Sequence, residues 1–215
     1  FRLSSNKRNM KRAILTGFEP FGPYEGNPVQ DTAKEYNGKR IGDIEVAGIV
    51  LPSTYYGAFD VLSDEIDRLG PDMILGTGLA SSVRRIKLEA VGENIMKGKY
   101  ADANDYRPEG VRIAPKGKDF YRTNADNISL AYCLSKNGIP AEVSVDAEGF
   151  ICNSLIYLTA RRIEKENLPV RHAFFHTPWT QDYLGRVKLE EGKTTISKDE
   201  LRRAIDLCLL GMAQG

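Results

Sequence analysis

Short apolar runs alternate with longer amphipathic stretches along almost the whole chain, and this limits the fold more than any other feature. Arg12 to Thr16 reads as a strand that ends in the turn Gly17-Phe18-Glu19-Pro20-Phe21-Gly22. Asn27-Pro28 opens a helix, with Asn as N-cap and Pro at the first helical position. Ile44 to Leu51 is a second strand, and the helical pattern from Tyr56 to Leu69 is ended by Gly70-Pro71. Asp72 to Gly76 is a buried strand, and Ile86, Leu88 and Ala90 alternate as in another. Further on, a helix over Asn124 to Lys136 ends at Gly138-Ile139-Pro140, and Glu142 to Val145 is a strand. Cys152 to Glu166 is a helix and His172 to Phe175 a strand. The last helix starts at Ser197, where Glu200 completes a capping box, and runs to Leu210. Strands separated by helices need right-handed crossovers, which predicts a largely parallel sheet covered by helices.

The 215 residues suit one domain with a single hydrophobic core. Residues 1–9 are polar and basic and read as a tag remnant or a disordered N-terminus. Met10 then reads as the native start, and 10–215 as one domain. Residues Lys97 to Lys118, rich in Gly, Pro, Asp and Lys, read as an irregular segment serving as a lid or an oligomer contact. Lys and Arg total 30 against 29 Asp and Glu, so charge offers nothing for nucleic acid or an anionic membrane to bind. No apolar run approaches the roughly 20 residues that span a bilayer. Three cysteines make no disulfide framework, and neither histidine has zinc-site spacing, so a reducing cytoplasm and no metal are expected.

Three cysteines and two histidines allow six nucleophile–base pairs. Cys133 shares helical spacing with Leu130 and Leu134, and Cys208 with Leu201, Ala204 and Ile205, so both read as small core residues. Cys152 differs, because it follows Gly149-Phe150-Ile151 where a strand gives way to a helix. A thiol there feels the positive end of the helix dipole, and the free N–H groups of the first turn can hold an oxyanion. His176 ends the run Ala173-Phe174-Phe175, at the carboxyl end of a strand, where open α/β sheets build their sites. His172 lies at the other end and reads as a surface or hydrogen-bonded structural residue. An acid should orient the imidazole. Glu89 and Glu93 are both candidates, and spacing alone does not choose between them.

Four segments in order resemble the pyroglutamyl-peptidase I (pyrrolidone-carboxylate peptidase) family. They are Leu15-Thr16-Gly17-Phe18-Glu19-Pro20-Phe21-Gly22 with Asn27-Pro28, then Gly78-Leu79-Ala80 with Ile86-Lys87-Leu88-Glu89 and Asn94. Phe150-Ile151-Cys152-Asn153 with Tyr157 follows, and then Phe175-His176-Thr177-Pro178. The resemblance implies a cysteine-type hydrolase that removes N-terminal pyroglutamyl (5-oxoproline) residues from peptides through a thioester acyl-enzyme. It makes Cys152 the nucleophile, His176 the acid/base and Glu89 the orienting carboxylate. Phe18, Phe21, Phe150 and Ile151 would hold the pyrrolidone ring, and Leu79 would offer backbone hydrogen bonds to the lactam. Arg84 and Lys99 would lie on the oxyanion or leaving-group side. The implied fold is an α/β three-layer sandwich around a twisted, mostly parallel mixed sheet with helices on both faces. Assembly as a homotetramer, no cofactor, and pyroglutamyl peptides as partners are implied with it.

The chain departs from the family pattern at Ser81-Ser82-Val83, where relatives carry an Arg, at Glu148-Gly149 before the nucleophile, and at Lys99, where a point charge replaces a guanidinium. Two other readings stay open at this stage. Glu148 and Val83 would suit a non-catalytic relative acting as a binding protein, and Gly17 to Gly22 would suit the phosphate site of a nucleoside phosphorylase-type enzyme.

Overall fold

The computed structural model describes residues 10–187 and 194–214. Residues 1–9, expected to be a tag remnant or tail, lie outside the described residues. Seven strands form one sheet. They are β1 (Lys11–Phe18), β2 (Arg40–Ile41), β3 (Ile44–Leu51), β4 (Met73–Leu79), β5 (Ile86–Glu89), β6 (Ala141–Ser144) and β7 (Arg171–Thr177). Their spatial order is β6-β5-β7-β4-β1-β3-β2. Pairing is parallel except at β5–β7 and β2–β3, so the sheet is mixed, as expected.

Among the described residues five helices cover it: α1 (Pro28–Tyr36), α2 (Gly57–Leu69), α3 (Asn127–Lys136), α4 (Ile151–Glu166) and α5 (Lys198–Gln214). Alternate side chains of each buried strand enter two separate cores, which is why these strands read as continuous apolar runs. Ala13, Leu15, Met73, Leu75, Ala173 and Phe175 pack under α1, α3 and α5. Ile14, Ile74 and Phe174, their neighbours in sequence, pack under α2 and α4 on the opposite face. Each such fully buried aliphatic or aromatic side chain contributes about 1.5–3 kcal/mol of transfer free energy. The result is a three-layer sandwich.

The local signals act as their chemistry requires. Asn27 caps α1 through its side-chain oxygen, which accepts the Val29 N–H, and Pro28 holds the first position. Gly70 ends α2 in the left-handed region, at φ 52°. Ser197 and Glu200 form the reciprocal box before α5, at 2.7 and 3.0 Å. Gly17 has a packing role: a β-carbon there would collide with the Val29 carbonyl of α1. Its bare backbone therefore serves helix–strand contact, and a phosphate cradle is not needed to explain it.

Several boundaries differ from expectation. β4 continues three residues past Gly76 to Leu79, because it lies between β1 and β7, and β7 pairs with it as far as Leu79. β7 itself runs to Thr177 and β1 to Phe18. β5 stops at Glu89, and Ala90 lies outside it. α5 reaches Gln214, beyond Leu210. Arg40–Ile41 is an edge strand too short and polar to show a period. The segment expected to be irregular carries a ribbon, Met96–Lys97 against Glu109–Val111. It also holds a turn gathered on buried Asp102, whose carboxylate accepts the N–H groups of Tyr55, Asn104 and Tyr106. No helix among the described residues is long and apolar enough to cross a membrane.

Candidate active site

Cys152, His176 and Glu89 meet beyond the carboxyl ends of the central strands. Glu89 is the last residue of β5, on the face opposite Leu88. His176 lies on β7, in the antiparallel pair with β5. Its Nδ1 donates to Glu89 Oε1 at 2.8 Å. Glu89 is fully buried, and its other oxygen has no hydrogen-bond partner among the described residues. A buried carboxylate of this kind is held chiefly by its one imidazole bond. Glu93, the other acid left open by spacing, is exposed on the ribbon Val91–Glu93.

With Nδ1 occupied, the other ring nitrogen of His176 is free for the hydrogen bond to Cys152. The two side chains meet over Gly78, the cross-strand neighbour of His176. A β-carbon at Gly78 would lie 2.8 Å from the sulfur and 2.9 Å from His176 Cδ2, so only glycine leaves them room. Burial by itself would lower the imidazole pKa. The negative sulfur of Cys152 and its hydrogen bond, then Glu89, outweigh burial and raise it to about 10. The arrangement favours a protonated imidazole beside the sulfur at neutral pH.

Cys152 is the second residue of α4, and no side chain caps the N-terminus of that helix. The first N–H groups of a helix have no partner within it, and here no side-chain cap takes one. Asn153 fixes this helix start. Its Oδ1 accepts the Glu93 N–H at 2.8 Å, and its Nδ2 donates to the carbonyls of Glu93 and Ile95, both at 2.9 Å. Asn94 and Tyr157 act in the same way on the neighbouring loop. Asn94 bonds the Ala114 and Lys118 backbone, and the Tyr157 hydroxyl donates to Lys118 O at 2.9 Å.

Two adjoining spaces open at the sulfur. The smaller is lined by Phe18, Phe21, Leu79, Phe150 and Ile151 together with Cys152, so all five expected pocket residues come together. Phe21 is braced by a chain of rings, Phe21–Tyr24–Trp179–Tyr183, with centroids 5.7, 5.0 and 5.3 Å apart. The larger cleft, about 250 Å³, also contains Cys152, His176 and Glu89. Lys99 lines it, with its ammonium 5.4 Å from the Tyr100 ring centre. Arg84 does not line it: Val83 is the buried neighbour facing the cleft, and Arg84 is exposed. Sequence reasoning missed Tyr24, Lys87 and Lys97 on the cleft, and the bracing Trp179 and Tyr183. Lys87 was within reach, because it alternates with Leu88 on the same face as Glu89. The aromatic brace had no local signal, since it is made by residues more than 150 positions apart.

His172, at the far end of β7, is buried. It is not a surface residue, and its Nδ1 has no partner among the described residues. Cys208 is fully buried and Cys133 partly so, and all three cysteines are free.

Pyrrolidone-carboxylate peptidase of Bacillus cereus (strain Q1) is 30% identical over 200 residues, 93% of this chain and 92% of that one. The Thermococcus litoralis protein of the same name is 31% identical over 188 residues, 87% and 86% of the two chains. Among solved structures, pyrrolidone carboxyl peptidase from Thermococcus litoralis superposes with a TM-score of 0.89 at 29% identity, covering 95% of this chain and 94% of that one. Pyroglutamyl peptidase I from Bacillus amyloliquefaciens also gives 0.89, at 28% identity, covering 95% and 96%. The family model for pyroglutamyl peptidase matches residues 11–212, and with these relatives it establishes that the chain belongs to the pyroglutamyl peptidase family.

Proposed function

We propose that the chain hydrolyses the N-terminal pyroglutamyl residue from peptides, with Cys152 as nucleophile, His176 as general acid and base, and Glu89 as the carboxylate that orients the imidazole. The observation that carries this reading is the 2.8 Å bond from His176 Nδ1 to Glu89, with the other edge of the same ring at the Cys152 sulfur.

The Cys152 thiolate attacks the pyroglutamyl carbonyl carbon, forming the C–S bond and an oxyanion. First-turn N–H groups of α4 hold that charge. The oxyanion collapses, the C–N bond breaks, and the leaving nitrogen takes the proton from His176. The neutral imidazole then removes a proton from water, whose oxygen attacks the thioester. The C–S bond breaks, 5-oxoproline leaves, and the thiolate–imidazolium pair is restored. Glu89 keeps the ring in the tautomer that these steps need.

The cavity between Phe18, Phe21, Phe150 and Ile151 suits a flat, neutral lactam, with Leu79 offering its backbone. An ordinary N-terminus would bring an ammonium into that space, at a cost of several kcal/mol. Proline would leave a donor for the absent carbonyl unpaired, at about 1–3 kcal/mol. Lys99, on the cleft, is assigned to the oxyanion or leaving-group side. Homotetrameric assembly belongs to the same reading and rests on the family resemblance, and a cytoplasmic location rests on the three free cysteines.

The test is release of aminocoumarin from a pyroglutamyl-aminocoumarin by the purified chain, with an iodoacetamide control. Cys152→Ser should abolish release, and activity surviving that substitution would reject Cys152 as nucleophile.

A further inference from the structure

We propose that Glu148 is a specificity-determining residue of this site and favours peptides in which a basic residue follows the pyroglutamyl group. The inference rests on the reading of Cys152 as nucleophile. The ring cavity ends at the sulfur, so the scissile bond lies there and the next residue occupies the rest of the larger cleft. That remainder has two walls. Lys97 to Tyr100 forms one, with Gly98 against Phe150 and Tyr55, Tyr100 against Gly22, and the Lys97 side chain against Gly149. The other is formed by Ser81 to Val83 and Asp146 to Glu148, and neither wall lines the ring cavity. The departing residue lies between the two and so meets Glu148 on the second wall.

Glu148 is fixed on that wall. Its N–H donates to Asp146 Oδ1 at 2.8 Å, and the Asp146 N–H donates to Ser144 Oγ at 3.2 Å. Ser82 Oγ donates to Glu148 Oε1 at 3.4 Å, joining the two loops of that wall. Glu148 holds φ 65°, a region where glycine sits without strain and a side chain does not. Strain retained beside a nucleophile points to a use for the side chain. Asp146 and Glu148 form no salt bridge among the described residues, while Lys87, Lys97 and Lys99 also line the cleft. Whatever the lysines add, the Glu148 charge contributes attraction for an incoming guanidinium or ammonium and repulsion for an incoming carboxylate.

Three peptides amidated at the C-terminus separate the outcomes: pyroglutamyl-Arg-Ala, pyroglutamyl-Ala-Ala and pyroglutamyl-Glu-Ala. Release of 5-oxoproline gives kcat/KM for each, and the Arg:Glu ratio is taken within each enzyme so that a general loss cancels. Glu148→Gln and Glu148→Gly should both lower that ratio about five- to tenfold, the range expected for a solvent-accessible charge pair. The glycine variant suits the backbone and keeps the turn. Raising salt to about 0.5 M should move the wild-type ratio toward that of the variants, which a purely structural role would not do. A ratio unchanged in either variant, or insensitive to salt in the wild type, overturns the proposal. A wild type that cleaves none of the three peptides instead overturns the peptidase reading itself.

Discussion

Gly78 stands directly beside the Cys152 sulfur, so close that a methyl on its α-carbon would lie 2.8 Å from Sγ. The same methyl would press His176 Cδ2 at 2.9 Å and Phe174 Cζ at 3.0 Å. Neither the strand backbone nor the buried Phe174 ring can yield, so the sulfur and the imidazole must separate. Gly78→Ala is expected to lower kcat about a hundredfold, the scale of a roughly 1 Å misplacement in an active site. Overpacking should cost about 1–3 kcal/mol of stability. Steady-state kinetics beside urea unfolding would separate the two. A variant with wild-type kcat would show that the sulfur–imidazole contact is not needed.

Glu89→Gln keeps the shape of the buried side chain and removes its charge. The carboxylate is one of the influences that hold the His176 pKa at about 10, against a burial effect that lowers it. Its loss should bring the alkaline limb of the kcat/KM profile to lower pH and reduce kcat by roughly 10²–10⁴. The sign follows from the charge state: the imidazolium that pairs with the thiolate is lost as pH rises through the histidine pKa. An alkaline limb that stays in place in the variant would remove Glu89 from this role.

The sheet and helices were legible because their signals are local. Ile44 to Leu51, the Asn27-Pro28 start and the Ser197/Glu200 box each act within a few residues, and each stands where it was read. Cys152 and His176 could be placed at element ends for the same reason. Glu89 and Glu93 could not be told apart by spacing. What separates them is the β5–β7 pairing, a contact between strands some 80 residues apart, with a bond spanning 87 positions. The brace of Phe21 by Trp179 and Tyr183, and the pinning of the Cys152 helix by Asn153, are likewise tertiary facts with no periodic trace. The strain at Glu148 was out of reach too, since a left-handed glutamate leaves no mark in hydropathy.

Asn153 shows how second-layer packing sets the thiol. It is buried, and it carries three bonds to the backbone of Glu93 and Ile95. Asn153→Ala would strand the Glu93 N–H and the carbonyls of Glu93 and Ile95. Each stranded group costs about 1–3 kcal/mol where water cannot reach it. A net loss of roughly 2–4 kcal/mol in urea unfolding is expected, with kcat falling more than KM rises because the helix start loosens. Asn153→Asp keeps the acceptor for Glu93 N–H but not the donors, so it should fall between. A fully stable alanine variant would refute this account of how α4 is anchored.

The second histidine sets an acid limit on the fold. Burial lowers the His172 pKa from 6.5 to about 4, so the folded chain keeps this ring neutral where the unfolded chain would protonate it. The folded pKa lies below the unfolded one. The contribution to stability is therefore complete above pH 6.5 and is lost as pH falls from there to about 4. Across that window the loss approaches roughly 3 kcal/mol for this one group. Glu35, pulled down to about 2 chiefly by its Arg202 bonds, contributes in a more acidic window, so the comparison must be made between matched chains. His172→Gln removes the titration and leaves the carboxylates unchanged. Urea unfolding of wild type and variant at pH 7.5 and at about pH 4.5 should show the wild type losing more stability on acidification, by about 2–3 kcal/mol. Parallel losses in the two proteins would mean that the buried ring already has a way to carry its proton in the folded state.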